Sequence, residues 1–234
     1  MGGFHWKTLL FYGILTLLTL VAIILIITVN SKTKFAVQEI TMRADVILDA
    51  GHGGMDGGAV SADGICEAPI TLAIAQKTQH LMQFCGTNAI MSRSDDSSLN
   101  YQENATAREN KNADLKARLE LSRKYPDCPF LSIHLNQFSQ AKYAGAQVFY
   151  GANGEQLAQH VQTALRAVLD PKNDRVCKPA PENVFLMKNI TAPAVTIECG
   201  FLSNPDECHK LQQDAYQTRI ALAIVDGYKN YNRG

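Results

Sequence analysis

The chain opens with a block of apolar positions unlike anything that follows it. No charged residue occurs from Thr8 to Ser31, and Leu9 to Val29 is almost unbroken by polar side chains. As a helix this run extends about 32 Å at about 1.5 Å per residue, enough to cross the hydrocarbon core of a bilayer. A buried core helix is usually shorter and keeps a polar stripe. A cleaved signal has an apolar region of roughly 7–15 residues that ends in small residues. Here Asn30-Ser31-Lys32-Thr33-Lys34 follows the run instead. Residues 1–31 therefore read as a membrane anchor or uncleaved signal, and residues 32–44 as a short linker. Lys7 lies on one side and Lys32, Lys34 and Arg43 on the other, so flanking charge does not set the orientation.

From residue 45 the pattern changes to short apolar runs alternating with helical periodicities. Asp45–Asp49 is a buried strand candidate that ends in a glycine-rich turn. A helix is expected from Pro69 to Phe84, with Pro69 in its first turn and Gly86 just past its end. Asn88–Ser92 reads as a second strand, residues 94–110 as a polar loop, and Ala113–Lys124 as a charged helix stopped by Pro126. Phe130–His134 and Gln147–Tyr150 are further strands. Glu155–Leu169 carries Leu157, Val161, Leu165 and Val168 at helical spacing, with Pro171 beyond its end. Val184–Met187 and Ala194–Glu198 complete the strands. The last helix opens on Asn204-Pro205-Asp206-Glu207, which supplies an N-cap, a proline at the first position and acid in the first turn. Tyr216, Ile220, Ile224, Gly227 and Tyr231 continue one face, as a second helical segment would. This βαβ rhythm, with no repeat, predicts one α/β domain over residues 45–234.

Composition narrows the function classes. The 22 Lys and Arg cancel the 22 Asp and Glu, only 19% of residues are charged, and no basic block or aromatic platform stands out. Nucleic acid is thereby excluded as a partner. The six cysteines, at 66, 85, 128, 177, 199 and 208, include no Cys-x-x-Cys pair, against a zinc ribbon or thioredoxin-type motif. Small buried groups are the preferred reading for most of them. An extracytoplasmic location would permit bridges whose pairing the sequence does not give.

In open α/β sheets, sites gather at the carboxyl ends of strands. The first strand runs into Gly51-His52-Gly53-Gly54-Met55-Asp56-Gly57-Gly58, which invites a phosphate-binding reading. Asp56 stands where the Rossmann fingerprint needs glycine, and Ala59 where a P-loop needs lysine, so neither motif survives. What remains is a tight backbone around His52. His134 ends another strand, Glu198 ends a third, and Glu67 precedes the first helix of the domain. Singly, each has an ordinary structural role, hydrogen bonding for the histidines and dipole compensation for an acid before a helix. Jointly, two His and two Glu converge on one sheet edge. Zinc takes imidazole nitrogen and carboxylate oxygen, and a catalytic site keeps three protein ligands, leaving a fourth group as general base. His5 precedes the anchor, His80 and His160 lie within helices, and His209 falls in the last helical region, so none of them suits this role.

Four ordered motifs, DAGHGGMDGGAV, a Glu fifteen residues after its His, SIHLN and TIECGFLSNP, resemble the zinc-dependent N-acetylmuramoyl-L-alanine amidases of bacterial cell walls. ADLKARLELS, Asp170–Arg175, LMKNITAPAVTIECGFLSNP and the single N-terminal anchor resemble more narrowly the germination-type cortex amidases of endospore formers. The resemblance implies a mixed, mostly parallel sheet flanked by helices, similar to the zinc exopeptidases. It implies one zinc ion on His52, Glu67 and His134, and Glu198 as the catalytic glutamate. It also implies peptidoglycan as substrate, extracytoplasmic action at the wall or in the forespore intermembrane space, and a role in muramic-δ-lactam formation. The family usually has Pro at the position of Ala50 and Ala at that of Leu135, both beside ligands rather than at them. Asn136 either binds substrate or holds a ligand. Arg175 either meets a stem-peptide carboxylate or faces solvent, the latter being preferred. The need for an accessory protein is left open. Rival readings are another zinc peptidase acting on wall peptides and a tethered wall-binding module without activity.

Overall fold

The computed structural model describes the backbone of residues 3–42 and 44–233, with the side chains of residues 5, 6, 8–29 and 44–233. It divides into two units, Met1–Arg43 and Ala44–Gly234. The first is helix α1, Gly3–Met42. Its Thr8–Val29 portion has a mean hydropathy of 2.8 with none of that window buried, so it is long and apolar enough to cross a membrane. The helix also runs through residues 32–42, the stretch read as a linker, which contains neither glycine nor proline to end it.

The second unit carries a six-stranded sheet. Its elements are β1 (Val46–Ala50), α2 (Glu67–Phe84), β2 (Ala89–Met91), α3 (Ala107–Lys124), β3 (Phe130–Asn136), β4 (Gln147–Tyr150), α4 (Glu155–Leu169), β5 (Lys178–Pro179), α5 (Phe185–Asn189), β6 (Ala194–Phe201), α6 (Pro205–Leu211) and α7 (Asp214–Tyr231). Strand order is β2-β1-β3-β6-β4-β5. Every pairing is parallel except β4 against β6, so the sheet is mixed and mostly parallel, as expected. The chain leaves β1 toward β2 and returns to the opposite side of β1 as β3. That reversal places a topological switch point at the carboxyl ends of β1 and β3.

The two sheet faces differ in chemistry. Strand alternation sends Leu131 and Ile133 of β3 and Val195 and Ile197 of β6 into one core, shared with residues of α2, α4 and α7. The opposite face starts apolar, with Ile47, Phe130 and Ala194 packed beside residues from α3 and α5. Further along the same strands this face turns polar, through Asp49, Ser132, His134, Thr196 and Glu198. Period-two alternation thus sorts the chemistry to one face, and strand direction sorts it to one edge.

Three elements differ in form or start from the sequence expectation, and a fourth, β5 at Lys178–Pro179, has no counterpart in it. α3 starts at Ala107 rather than Ala113, because Thr106 and Glu109 form a reciprocal capping box whose polar first turns carry no apolar period. Val184–Met187 is not a strand: Phe185–Asn189 is a single helical stretch, and an apolar run this short carries no decisive period. α2 begins at Glu67, two residues before the expected start, and Pro69 still falls within the first turn, where its missing N–H is harmless. The capping of α6 is as read, with Asn204 Oδ1 accepting from Glu207 N at 3.0 Å.

α4 and α7 approach closely at Gly227, where a Cβ would lie 2.6 Å from the Val161 Cα. Replacing a helix glycine by alanine ordinarily gains about 1 kcal/mol, whereas overpacking against backbone costs about 1–3 kcal/mol. Gly227→Ala should therefore lower the unfolding free energy by up to roughly 2 kcal/mol in urea titrations. A raised midpoint would show that the two helices can separate freely.

Candidate metal centre

β1 delivers the chain into Gly51 and His52, and His52 sits at φ 60°. This left-handed conformation costs an L-residue about 1–2 kcal/mol. Two buried arginines hold the carbonyls on either side of it. Arg118 of α3 pairs with Asp49 and, at 2.6 Å, with Asp114, while donating to the carbonyls of Ala50 at 2.7 Å and His52 at 2.6 Å. Arg93, beyond β2, donates to the carbonyls of Ala50, Gly51 and Ala68, each at 2.9 Å. Burial works against the Arg118 cation, but Asp49 and Asp114 outweigh it and raise its pKa. Burial works against ionised Asp49 too, and Arg118 overcomes it, so Asp49 is held below the usual carboxylate range. Ser132 Oγ donates to the other Asp49 oxygen at 2.6 Å.

Glu67, at the first position of α2, stands between the two imidazoles. His52 Nε2 is 3.2 Å from Glu67 Oε2, and His134 Nδ1 is 2.9 Å from Glu67 Oε1. The backbone N–H of Ala59 donates to one carboxylate oxygen at 2.9 Å and that of Leu135 to the other at 2.8 Å. Burial alone would raise the Glu67 pKa; the hydrogen bonds and charge of His134 and His52 reverse that and hold it well below the carboxylate range. Asp56 Oδ2 lies 3.0 Å from His52 Nδ1, which turns Nε2 toward Glu67 and His134. Burial opposes a charged His52, but the Asp56 and Glu67 carboxylates raise its pKa to about 9.

One ligand atom from each of His52, Glu67 and His134 lies within 4.8 Å of the others. Two imidazoles and a carboxylate are the donor set of a catalytic zinc site with an open position. Glycines make the approach feasible: a Cβ on Gly51 would lie 2.7 Å from His134 Nδ1, and one on Gly58 would lie 2.6 Å from Glu67 Oε2. These residues therefore fit a metal ion.

Glu198 is opposite His134 in the β3–β6 register. Its Oε2 is buried and is, among the described residues, the buried side-chain polar atom without a hydrogen-bond partner. Burial pushes its pKa up to about 7, helped by the Glu67 charge and opposed by His134 and His52. With Ser132, His134, Asn136 and Thr196 it lines a cleft of about 420 Å³, bounded also by Leu115, Phe149, Ala180, Pro181 and residues 183–186.

The structure thus brings His52, Glu67, His134 and Glu198 to one sheet edge, with Asn136 lining the same cleft. Arg175 is half-buried and stacked over the Phe201 ring at 4.8 Å. His80 and His209 are exposed, and His160 packs against Tyr231 with ring centroids 6.5 Å apart. Of the six cysteines, Cys128, Cys199 and Cys208 are buried. Sequence reasoning missed Arg93, Arg118, Asp49 and Asp56. Asp56, four residues after His52, was the one with a local signal, as the carboxylate inside the same glycine-rich turn.

A family model described as N-acetylmuramoyl-L-alanine amidase matches residues 46–230. The germination-specific N-acetylmuramoyl-L-alanine amidase of Bacillus subtilis (strain 168) is 36% identical over 189 residues, spanning 80% of this chain and 78% of that protein. The solved CwlD amidase from Clostridioides difficile, in complex with the GerS lipoprotein, aligns with a TM-score of 0.78 at 42% identity over 82% of this chain and 99% of that one. An N-acetylmuramoyl-L-alanine amidase from Clostridium difficile 630 aligns with a TM-score of 0.70 at 28% identity, over 82% and 97%.

Two outcomes are expected of the metal-free protein. The raised His52 pKa contributes stability below the ordinary imidazole value of 6.5 that is lost as pH rises through about 9. Metal binding needs the neutral ring, so zinc affinity measured against a competing chelator should climb from pH 6.5 toward 9; a flat profile would remove His52 from the ligand set. Gly51→Ala should keep native circular dichroism yet lose stoichiometric zinc, because the new methyl displaces the His134 ring. Full zinc content in that variant would contradict the close approach.

Proposed function

The chain belongs to the N-acetylmuramoyl-L-alanine amidase family, and on that premise we propose that His52, Glu67 and His134 hold one zinc ion while Glu198 moves the proton. The bond cleaved joins the lactyl carbonyl of N-acetylmuramic acid to L-alanine. The observation that carries this reading is the cluster of three ligand atoms within 4.8 Å, with Glu198 facing His134 across the strand register. When bound, zinc would supply Lewis acidity and lower the pKa of a water from about 15.7 toward about 7.

The protein's own groups supply the rest. The Glu198 carboxyl, whose pKa burial raises to about 7 in the metal-free protein, would accept a proton from water and return it to the departing amine of L-alanine. Asp56 fixes the ring of His52, and the Ala59 and Leu135 amides fix Glu67. Asn136 lines the same cleft, which supports a role for it in meeting substrate.

The germination-specific relative supports the spore cortex as the site of action, in the route to muramic-δ-lactam. The lipoprotein complex of the CwlD relative supports an accessory lipoprotein as a partner. Residues 45–234 serve as the catalytic domain on the outer side of the membrane. The Thr8–Val29 span, within an anchor or uncleaved signal at residues 1–31, tethers it.

The two glutamates should respond differently to isosteric change. Glu67→Gln weakens a charged ligand and should lower zinc affinity together with activity. Glu198→Gln keeps size but removes the proton acceptor, so zinc should remain while turnover on a soluble muropeptide falls by at least about 10²–10⁴-fold. Zinc content and amidase rate, measured on both variants, separate the roles. An active, zinc-loaded Glu198→Gln enzyme would end the mechanism, and a zinc-free one would make Glu198 a ligand.

A further inference from the structure

Arg175 carries a positive charge that makes no direct ion pair among the described residues, although the Glu207 carboxylate, bound to the amides of Gly145 and Phe201, belongs to the same neighbourhood. Its Nε donates to the Ala144 carbonyl at 2.8 Å, its Nη1 donates to Gln147 Oε1 at 2.9 Å, and its guanidinium lies 4.8 Å from the centre of the Phe201 ring. Its backbone N–H donates to Asn173 Oδ1 at 3.0 Å, and the buried Asn173 is anchored in turn on the Ala146 carbonyl. Each of these partners is neutral. Among the described residues, no carboxylate lies within ion-pair distance of Arg175.

The residues that hold this guanidinium also locate it. Gln147 stands opposite Glu198 in the β4–β6 register, and Phe201 stands opposite Asn136 in the β3–β6 register. Arg175 therefore sits at the same sheet edge as the metal centre, roughly one to two strand spacings, ~5–10 Å, from Glu198. The fork is aligned in advance: Nε and Nη1 are engaged, and Nη2 has no protein partner among the described residues. Bracing a loop needs no half-buried cation among neutral acceptors. Such a group becomes strongly favourable when an anion joins it, because a charge-assisted bond to an oriented guanidinium is about twice as strong as a neutral one.

We infer that Arg175 receives a free carboxylate on the peptide side of the scissile bond, a specificity determinant that rests on the amidase reading above. A carboxylate on the residue after L-alanine lies roughly 7 Å along an extended chain from the bond that breaks, at about 3.3–3.6 Å per residue. This span falls within the separation of Glu198 and Arg175. The site then distinguishes stem peptides by the charge of their second residue, and the pairing orients the amide over Glu198.

The test uses the full-length, zinc-loaded protein in detergent and two synthetic substrates. These are N-acetylmuramoyl-L-alanyl-γ-D-glutamyl-L-lysine and its counterpart with the glutamyl α-carboxyl converted to the amide. The wild type should favour the free acid by about ten- to a hundredfold in kcat/KM, the range of one charge-assisted bond. Arg175→Gln should bring that ratio close to one, whatever its effect on absolute rates, and Arg175→Lys should restore part of it. The ratio is internal to each protein, so a general loss of folded enzyme does not imitate the effect. A wild-type ratio near one, or a ratio unchanged in Arg175→Gln, would overturn the inference while leaving the amidase reading intact. Failure of the wild type to cleave either compound, both alone and with the accessory lipoprotein proposed above, would overturn both.

Discussion

Two buried arginines hold up the site. Arg118 and Arg93 reach the last carbonyls of β1 and the turn after it from different elements, and between them they engage Ala50, Gly51 and His52. Without them the left-handed His52 would cost about 1–2 kcal/mol with nothing to offset it. Each hydrogen bond to a charged donor is worth about 1.5–3 kcal/mol, which is enough to hold that backbone. Everything downstream inherits this geometry: the His52 ring reaches Glu67, Glu67 reaches His134, and His134 pairs in register with Glu198. The pairing of Arg118 with Asp49 satisfies both buried charges, and losing either partner would leave the other stranded.

Two carboxylates at one sheet edge are thereby given opposite characters. Glu67 accepts from two backbone amides and two imidazoles, and its ionised form is secured. Glu198 has a buried oxygen without a donor, and its proton is held to near neutrality. Environments that drive two acids apart in pKa are how one site obtains both a permanent anion and a group that exchanges protons. The contrast in acidity follows from the donors around each residue, since the side chains themselves are chemically the same.

The α/β class and the four central residues were legible because they obey short-range rules. Strands announced themselves as apolar runs, and the chemistry lay where those runs stopped, at His52, His134 and Glu198. Glu67 was found as an acid ahead of a proline-marked helix. Arg118 was hidden because an arginine on a charged helix reads as solvated, and only the crossing of α3 beneath β1 buries it. Arg93 lies in a polar stretch with no periodicity to show what it covers. The start of α3 was in fact written in Thr106-Ala107-Arg108-Glu109, a capping signature overlooked because the apolar period begins later, at Leu115. The brief α5 had no signal of its own, since five residues cannot express a helical period.

The unpartnered oxygen of Glu198 also bears on how the sequence can drift. A buried polar atom without a partner costs about 1–3 kcal/mol, a sizeable part of the ~5–15 kcal/mol by which a domain of this kind stays folded. An apolar residue at position 198, flush with the cleft wall, would relieve that burden and yield a hardier protein. The residue to which the proposed mechanism assigns the proton is thus one the fold would be better off without, so relaxed selection on activity should erode this position early. Glu67, whose removal would strand two imidazoles and two backbone amides, is tied to the architecture and should outlast it.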